Sequence, residues 1–166
     1  MIPVISVVGW SNTGKTTLIC KLIPELKKRG YKTATVKHHR KSFEMDSPGK
    51  DTWLHRQAGA VVSAISSPQR FAYVRELEEE LSLEEIVKDV KGVDLIITEG
   101  YKFGDRPKLE VFRKEAANKM ELISSPPELF AAATDYDFGL PGVSQFDLED
   151  AVGMVDLIEQ KFLKKA

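Results

Sequence analysis

Cysteine is nearly absent from this chain of 166 residues: Cys20 is the only one. A lone thiol excludes an intrachain disulfide and points to a reducing, cytosolic setting, and its place in a helical stretch predicts a buried, inert side chain. Long apolar runs are absent as well. No stretch approaches the ~20 residues needed to cross a bilayer, and the apolar start Ile2 to Val8 lacks the basic segment that opens a signal peptide. A cytoplasmic protein without membrane association is expected. Nor is there an excess of one charge: 24 Lys and Arg against 25 Asp and Glu leave a net of −1, which argues against a nucleic-acid binder with a wholly positive surface. No repeat or low-complexity tract interrupts the chain, and the Pro- and Gly-rich stretches are turns rather than linkers. One domain spanning residues 1–166, with one core, is therefore expected.

The charge that is present lies unevenly. Residues 1–56 hold 11 basic and 4 acidic side chains, a net of +7, and the rest of the chain carries −8. A small anionic ligand fits that asymmetry, as does a solvated basic face. Short β-branched runs alternate with helical patterns: strands near 2–8, 33–37 and 61–66, helices near 15–29 and 50–59. Such βαβ order predicts an α/β fold, a P-loop NTPase-like three-layer α/β/α domain with a mostly parallel sheet. Gly30 after Lys27-Lys28-Arg29 closes the first helix, and Pro24 is expected to kink or loosen its last two turns. Arg70 to Arg75 alternates like a two-faced strand, an edge or antiparallel addition to the sheet. Ser82-Leu83-Glu84-Glu85 is a capping box for a helix to about residue 91, and Val93 to Thr98 reads as a buried central strand. Further strands are expected at 108–113 and near 129–134. Asp147 is expected to cap a last helix with Leu148, Val152, Val155, Ile158 and Phe162 on its buried face and Lys161, Lys164 and Lys165 at its end.

Between the first strand and the first helix, Gly9-Trp10-Ser11-Asn12-Thr13-Gly14-Lys15-Thr16 fills every position of a phosphate-binding P-loop. Gly9 and Gly14 allow backbone conformations that a Cβ would block, so the N–H groups of the loop, through Ser11, Asn12 and Thr13, can cradle phosphates. Lys15 is placed to reach the β and γ phosphates and Thr16 Oγ1 to coordinate Mg2+, while Thr17 continues into a helix presenting its positive end. Trp10 is expected to pack against neighbouring loops. The metal of such a loop needs a second acid at the C-terminal end of a buried strand beside the first. Asp94 and Glu99 flank the candidate strand, but five steps at ~3.3 Å set them ~16 Å apart, so only Glu99 lies at the phosphate end. Glu99 is expected to bind Mg2+ through water or to polarise an attacking water. Lys15 and Glu99 are thus the candidate catalytic residues.

Lys37-His38-His39-Arg40-Lys41 should emerge on the same edge, because parallel strands share their C-terminal ends. Asp46, Gly49-Lys50-Asp51 and His55-Arg56 follow and read as a second-substrate or switch region. There Asp46 is a further Mg2+ candidate, and Lys37, Lys50 and Arg56 are candidates to meet an anion. A solvated basic loop and an ordinary helix face fit the same residues. His38 and His39 lack a third ligand at suitable spacing, which argues against a metal there. Asp135, ending a strand, can accept hydrogen bonds from guanine N1–H and N2–H, groups that adenine does not present. The usual guanine motif Asn-Lys-x-Asp is absent, and a turn acid fits Asp135 equally well.

Taken together, Gly9 to Thr17, Lys37-His38-His39, Asp46 with Gly49-Lys50-Asp51, His55-Arg56 with Ala58-Gly59-Ala60, and Thr98-Glu99-Gly100-Tyr101-Lys102 resemble the molybdopterin-guanine dinucleotide biosynthesis protein B (MobB) family. The similarity covers most of residues 1–115 and weakens beyond them. It implies a GTP-binding, weakly GTP-hydrolysing homodimer that uses Mg2+ and assists a partner molybdenum cofactor guanylyltransferase in attaching GMP to molybdopterin. Molybdopterin itself and other cofactor-maturation proteins are further partners under that resemblance. On this sequence Gly14, Lys15, Thr16 and Thr17 match its phosphate-binding positions, and Glu99 its acidic strand end. Two other readings remain open on the residues: a P-loop small-molecule kinase whose acceptor lies in 37–56, and a nucleotide-gated adaptor without useful turnover.

Overall fold

The computed structural model describes residues 1–116 and 119–163, which divide into two compact units, Met1–His38 with Val90 onward and His39–Asp89. The first unit is built on a sheet whose strands are β1 (Val4–Val8), β2 (Thr33–Lys37), β5 (Leu95–Glu99), β6 (Lys108–Phe112), β7 (Leu129–Thr134) and β8 (Ser144–Phe146). These six pair in the order β2-β5-β1-β6-β7-β8, every pair parallel. Position in that order explains composition. β1 and β6 are buried at every residue and, apart from Ser6, Lys108 and Glu110, are made of Val, Ile, Leu and Phe, as strands covered on both faces must be. β2, at one edge, is largely open.

Two helices of this unit, α1 (Lys15–Lys28) and α4 (Ala151–Ile158), pack against each other. Leu18, Ile19, Leu22 and Leu26 of α1 recur at helical spacing and meet Met154, Val155 and Ile158 of α4 in one core with Ile5, Val7, Leu95 and Ile97. That stripe leaves Cys20 on the other side of α1, so the thiol expected to be buried is exposed. Helix α1 runs through Pro24 to Lys28. Arg29, just past its end, bonds Glu25, Asp156 and Glu159 and ties α1 to α4.

α4 departs from expectation at its start. Asp150, not Asp147, is its cap: the Asp150 carboxylate accepts from Gly153 N at 2.9 Å, while Asp147 accepts from Glu149 N in the turn before. A helix starting at Ala151 turns Met154, Val155 and Ile158 inward and leaves Val152 54% exposed, off the buried face predicted for it. Beyond Ile158 the chain makes a π-helical turn, Glu159–Leu163. Lys164 and Lys165 lie outside the described residues. β8 is a further strand that the sequence pattern did not announce.

The second unit holds α2 (Asp51–Gln57), β3 (Val62–Ser66), β4 (Phe71–Arg75) and α3 (Leu83–Asp89). β3 and β4 form an antiparallel hairpin, Val62 opposite Arg75 through Ser66 opposite Phe71, a two-stranded sheet of its own. The capping box at α3 is reciprocal, with Ser82 N donating to Glu85 at 2.8 Å and Glu85 N to Ser82 Oγ at 3.2 Å.

Candidate functional site

Because all six strands of the large sheet are parallel, their C-terminal ends share one edge, and the strand order reverses around β1. Ligands of open α/β sheets bind at such a point. β1 delivers Gly9 there with φ +144°, and a Cβ on Gly9 would overlap the carbonyl oxygen of Val111 on neighbouring β6. No other residue fits without moving that strand. Asn12 and Gly14 also have positive φ, 64° and 99°, so the loop curls tightly before α1 begins. Gly14 caps α1 with no side chain bonded to its first turn, which contains no acid. The N–H groups of that turn therefore face outward at the positive end of the helix. Ser11, Asn12, Thr16 and Thr17 are exposed, whereas Thr13 is buried with its hydroxyl donating to Trp10 O at 3.0 Å.

Glu99 ends β5, in register with Val7 on one side and Lys37 on the other. The Thr16 hydroxyl lies 3.0 and 2.9 Å from its two carboxylate oxygens, and Lys37 Nζ is 3.0 Å from Oε1. Asp94 sits at the opposite end of β5, accepting from Lys32 N at 2.8 Å. Lys15 Nζ donates to Trp10 O at 2.6 Å. Its pKa is pushed down from the usual lysine value, first by burial and then by the charges of Lys102 and Lys37, against the pull of Glu99. Lys102 Nζ lies 5.4 Å from the centre of the Trp10 ring, and the indole N–H of Trp10 donates to Glu121 O at 3.3 Å. Three ammonium groups and one carboxylate thus meet a helix N-terminus. Such a site lacks negative charge, and the group that would relieve it is a polyanion. Thr16 and Glu99 offer the hard oxygen donors that Mg2+ takes.

Sequence reasoning missed three residues of this edge. Lys102 closes the Thr98-Glu99-Gly100-Tyr101-Lys102 segment that carries part of the family resemblance, but that segment alone assigns its side chain no role. Arg113, the residue after β6, brings Nη2 to 3.9 Å from where a Cβ on Gly14 would stand. Glu110 is fully buried on β6, in register with Val8, and accepts from Ile123 N at 2.6 Å and Ser124 N at 2.9 Å. Burial raises its pKa despite those bonds. It anchors the 121–124 segment that supports Trp10. Knowing that β6 adjoins β1 is what makes Arg113 and Glu110 legible.

Asp135 follows β7 on the same edge, where its Oδ1 accepts from Lys114 N at 2.8 Å. With Tyr136, Asp137, Gln145 and Asp147 it lines an open pocket of about 490 Å³. Asp137 accepts from Gly139 N and Gln145 Nε2, both at 2.8 Å, which holds its pKa below the usual carboxylate range.

Of the remaining expected residues, all but His38 belong to the second unit. Asp46 Oδ1 accepts from Thr52 Oγ1 at 3.0 Å and Ser47 N at 3.1 Å. Arg56 does not face solvent as an anion ligand: its side chain is 8% exposed and bonds Glu44 and, at 3.0 Å, Glu76. Lys50 precedes α2, and its carbonyl accepts from Leu54 N at 2.9 Å. His38 packs on Tyr101, ring centres 4.9 Å apart, and His39 Nδ1 lies 3.0 Å from Lys41 O. Among the described residues no group of three His, Cys, Asp or Glu could hold a metal, and no helix is long and apolar enough to cross a membrane.

Residues 4–135 match the family model of MobB, molybdopterin guanine dinucleotide synthesis protein B. The molybdopterin-guanine dinucleotide biosynthesis adapter protein of Escherichia coli is 36% identical, over 99% of this chain and 96% of its own length. The Haemophilus influenzae protein of the same description is 33% identical over 81% of this chain and 76% of its own. Among solved structures, that of Bacillus subtilis MobB aligns with a TM-score of 0.74 at 26% identity, covering 99% of this chain and 100% of the other.

Proposed function

The chain belongs to the molybdopterin guanine dinucleotide synthesis protein B family, and from that premise we propose that it is an adapter in the assembly of this dinucleotide that holds GTP·Mg2+ and hydrolyses it slowly. The observation that carries the nucleotide reading is the Thr16 hydroxyl within 3.0 Å of both Glu99 oxygens at the start of α1, beside Lys15 and Lys37. Thr16 and Glu99 hold the metal, Glu99 through water. The N–H groups from Ser11 to Thr17 and the ammonium of Lys15 hold the phosphates. Loading the nucleotide replaces the bond from Lys15 to Trp10 O with bonds to phosphate oxygen and relieves the crowding of Lys15, Lys37 and Lys102.

Guanine is read in the pocket at the ends of β7 and β8, with Asp135 Oδ2 accepting from the base. The partner is a guanylyltransferase acting on molybdopterin, and the chain works as a homodimer. The partner reading draws on the adapter description of the relatives, and the homodimer on the family resemblance alone. Exposed Val62, Phe71 and Tyr73 on the hairpin supply the kind of apolar surface that protein contacts use.

Calorimetric titration of the whole chain with GTP, ATP and XTP, with and without Mg2+, tests this reading. GTP is expected to bind in preference to ATP and more tightly with Mg2+, with a loss of at least 100-fold, about 2.7 kcal/mol, in Lys15→Ala. Asp135→Asn should shift the preference from GTP towards XTP. Equal affinity for GTP and ATP would remove the guanine assignment, and no saturable binding of any triphosphate would end the nucleotide reading.

A further inference from the structure

Past the end of β5 the chain turns sharply towards the phosphate loop. Gly100 and Tyr101 follow Glu99 with φ of +100° and +49°, two successive left-handed residues of which the second carries a bulky ring, a conformation that such side chains seldom adopt. Neighbours hold them there: Gly100 N donates to Val7 O at 3.1 Å, His38 N to Glu99 O at 3.0 Å, and the Tyr101 ring packs on that of His38 with centres 4.9 Å apart. Backbone strain of this kind collects at ligand sites. What it achieves here is the placement of Lys102, whose Nζ stands over the Trp10 ring, 5.4 Å from its centre.

Trp10 thus carries two ammonium groups at once, Lys15 on its carbonyl oxygen at 2.6 Å and Lys102 on its ring. The two repel, and after burial the charge of Lys102 does most to lower the pKa of Lys15. Among the described residues the Lys102 ammonium has no hydrogen-bond acceptor and no carboxylate at ion-pair distance. Glu110 feels its charge, but both Glu110 oxygens are engaged, by Ile123 N and Ser124 N. A partly exposed ring is a weak partner for a cation beside a second cation. Lys102 is therefore poised to leave it for a stronger one.

The strand order says which part of a nucleotide it would meet. On the reading given above, the base lies at the ends of β7 and β8 and the metal at Thr16 and Glu99, on the other side of β1. A nucleotide laid between them has its α-phosphate towards β6 and its terminal phosphate towards β5, where the metal joins β and γ oxygens. Lys102 follows β5 by three residues. Lys15 reaches both the β and γ phosphates and so serves diphosphate and triphosphate alike. We propose that Lys102 is the γ-phosphate sensor of this site: its ammonium rests on Trp10 without nucleotide or with a diphosphate, and moves onto a γ-phosphate oxygen when a triphosphate binds. The inference rests on the nucleotide reading and adds the residue by which the chain tells GTP from GDP.

The test is calorimetric titration of the full chain, Lys102→Ala and Lys102→Arg, in Mg2+, with GDP and with the non-hydrolysable GTP analogue guanylyl imidodiphosphate. The original chain should favour the triphosphate, Lys102→Ala should weaken it about tenfold while leaving GDP within about twofold, and Lys102→Arg, which keeps the charge, should recover most of the loss. A lysine with a merely structural role would weaken both nucleotides alike. In a Trp53→Phe chain, where Trp10 is the remaining tryptophan, the triphosphate should change the fluorescence beyond what GDP does, because the ammonium leaves the indole only for a γ-phosphate. An unchanged ratio of the two affinities in Lys102→Ala, or the same Trp10 signal with either nucleotide, would overturn the assignment. The fluorescence comparison keeps Lys102 in place, so misfolding of a Lys102 variant cannot decide it. Either of those results with nucleotide still bound ends this inference alone, whereas no saturable binding of any nucleotide ends the nucleotide reading and this inference with it.

Discussion

Glu99 is held on two sides, by the Thr16 hydroxyl and by Lys37 at 3.0 Å, so Glu99→Gln changes its charge far more than its place. A carboxylate beside a polyphosphate repels it until a cation intervenes. Without Mg2+ the variant should therefore bind GTP at least as tightly as the original chain, and the tightening that Mg2+ produces should shrink about tenfold, ~1.4 kcal/mol. Calorimetry in chelator and in Mg2+ reads both numbers, and an unaltered Mg2+ effect would take Glu99 out of the metal site. This residue was legible in the sequence because strand rise alone places it ~16 Å from Asp94, and only one end of a strand can meet the loop. Arg56 was misread for the opposite reason. Its charge is visible in sequence, but its partners Glu44 and Glu76 come from 12 and 20 positions away, and no local pattern announces them.

At the level of elements, patterns with short reach were readable and choices between near neighbours were not. The α3 box needs only Ser82 and Glu85, and both bonds form. The start of α4 offers Asp147 and Asp150, two N-cap residue types in one stretch, and periodicity cannot separate them. The structure separates them by partner: Asp150 takes Gly153 N, inside the helix, and Asp147 takes Glu149 N, outside it. Asp150→Ala should accordingly cost about 1 kcal/mol, a fall in Tm of about 2–4 °C at this length. Asp147→Ala should cost less than half of that. Thermal unfolding of the two variants compares them, and a larger effect at Asp147 would move the cap back to where the pattern put it. The hairpin shows the same limit. The alternation of Arg70 to Arg75 identified a strand but not its neighbour, because side-chain period is the same whichever sheet accepts it.

For the whole molecule, the parallel sheet does the assembling: Thr16 and Glu99 are 83 positions apart in sequence, yet meet because β5 pairs in parallel with β1. The same sheet buries Glu110 between strands, and this links folding to pH. Burial raises its folded-state pKa above the unfolded value, so between those two values the folded chain binds more protons than the unfolded one. Stability contributed by this group is then complete below the unfolded pKa and is lost as pH rises through the folded one. Glu110→Gln removes that titration and leaves one of the Ile123 and Ser124 N–H groups unpaired, which should lower stability by about 1–3 kcal/mol at neutral pH. The difference between original and variant should be larger still in acid, where Glu110 is protonated and free of its burial penalty, and should narrow as pH rises through the raised pKa. Urea unfolding of both chains at a series of pH values from acid to neutral measures that difference directly. A difference independent of pH would mean that Glu110 keeps an ordinary pKa in the folded chain, its two backbone bonds having offset the burial.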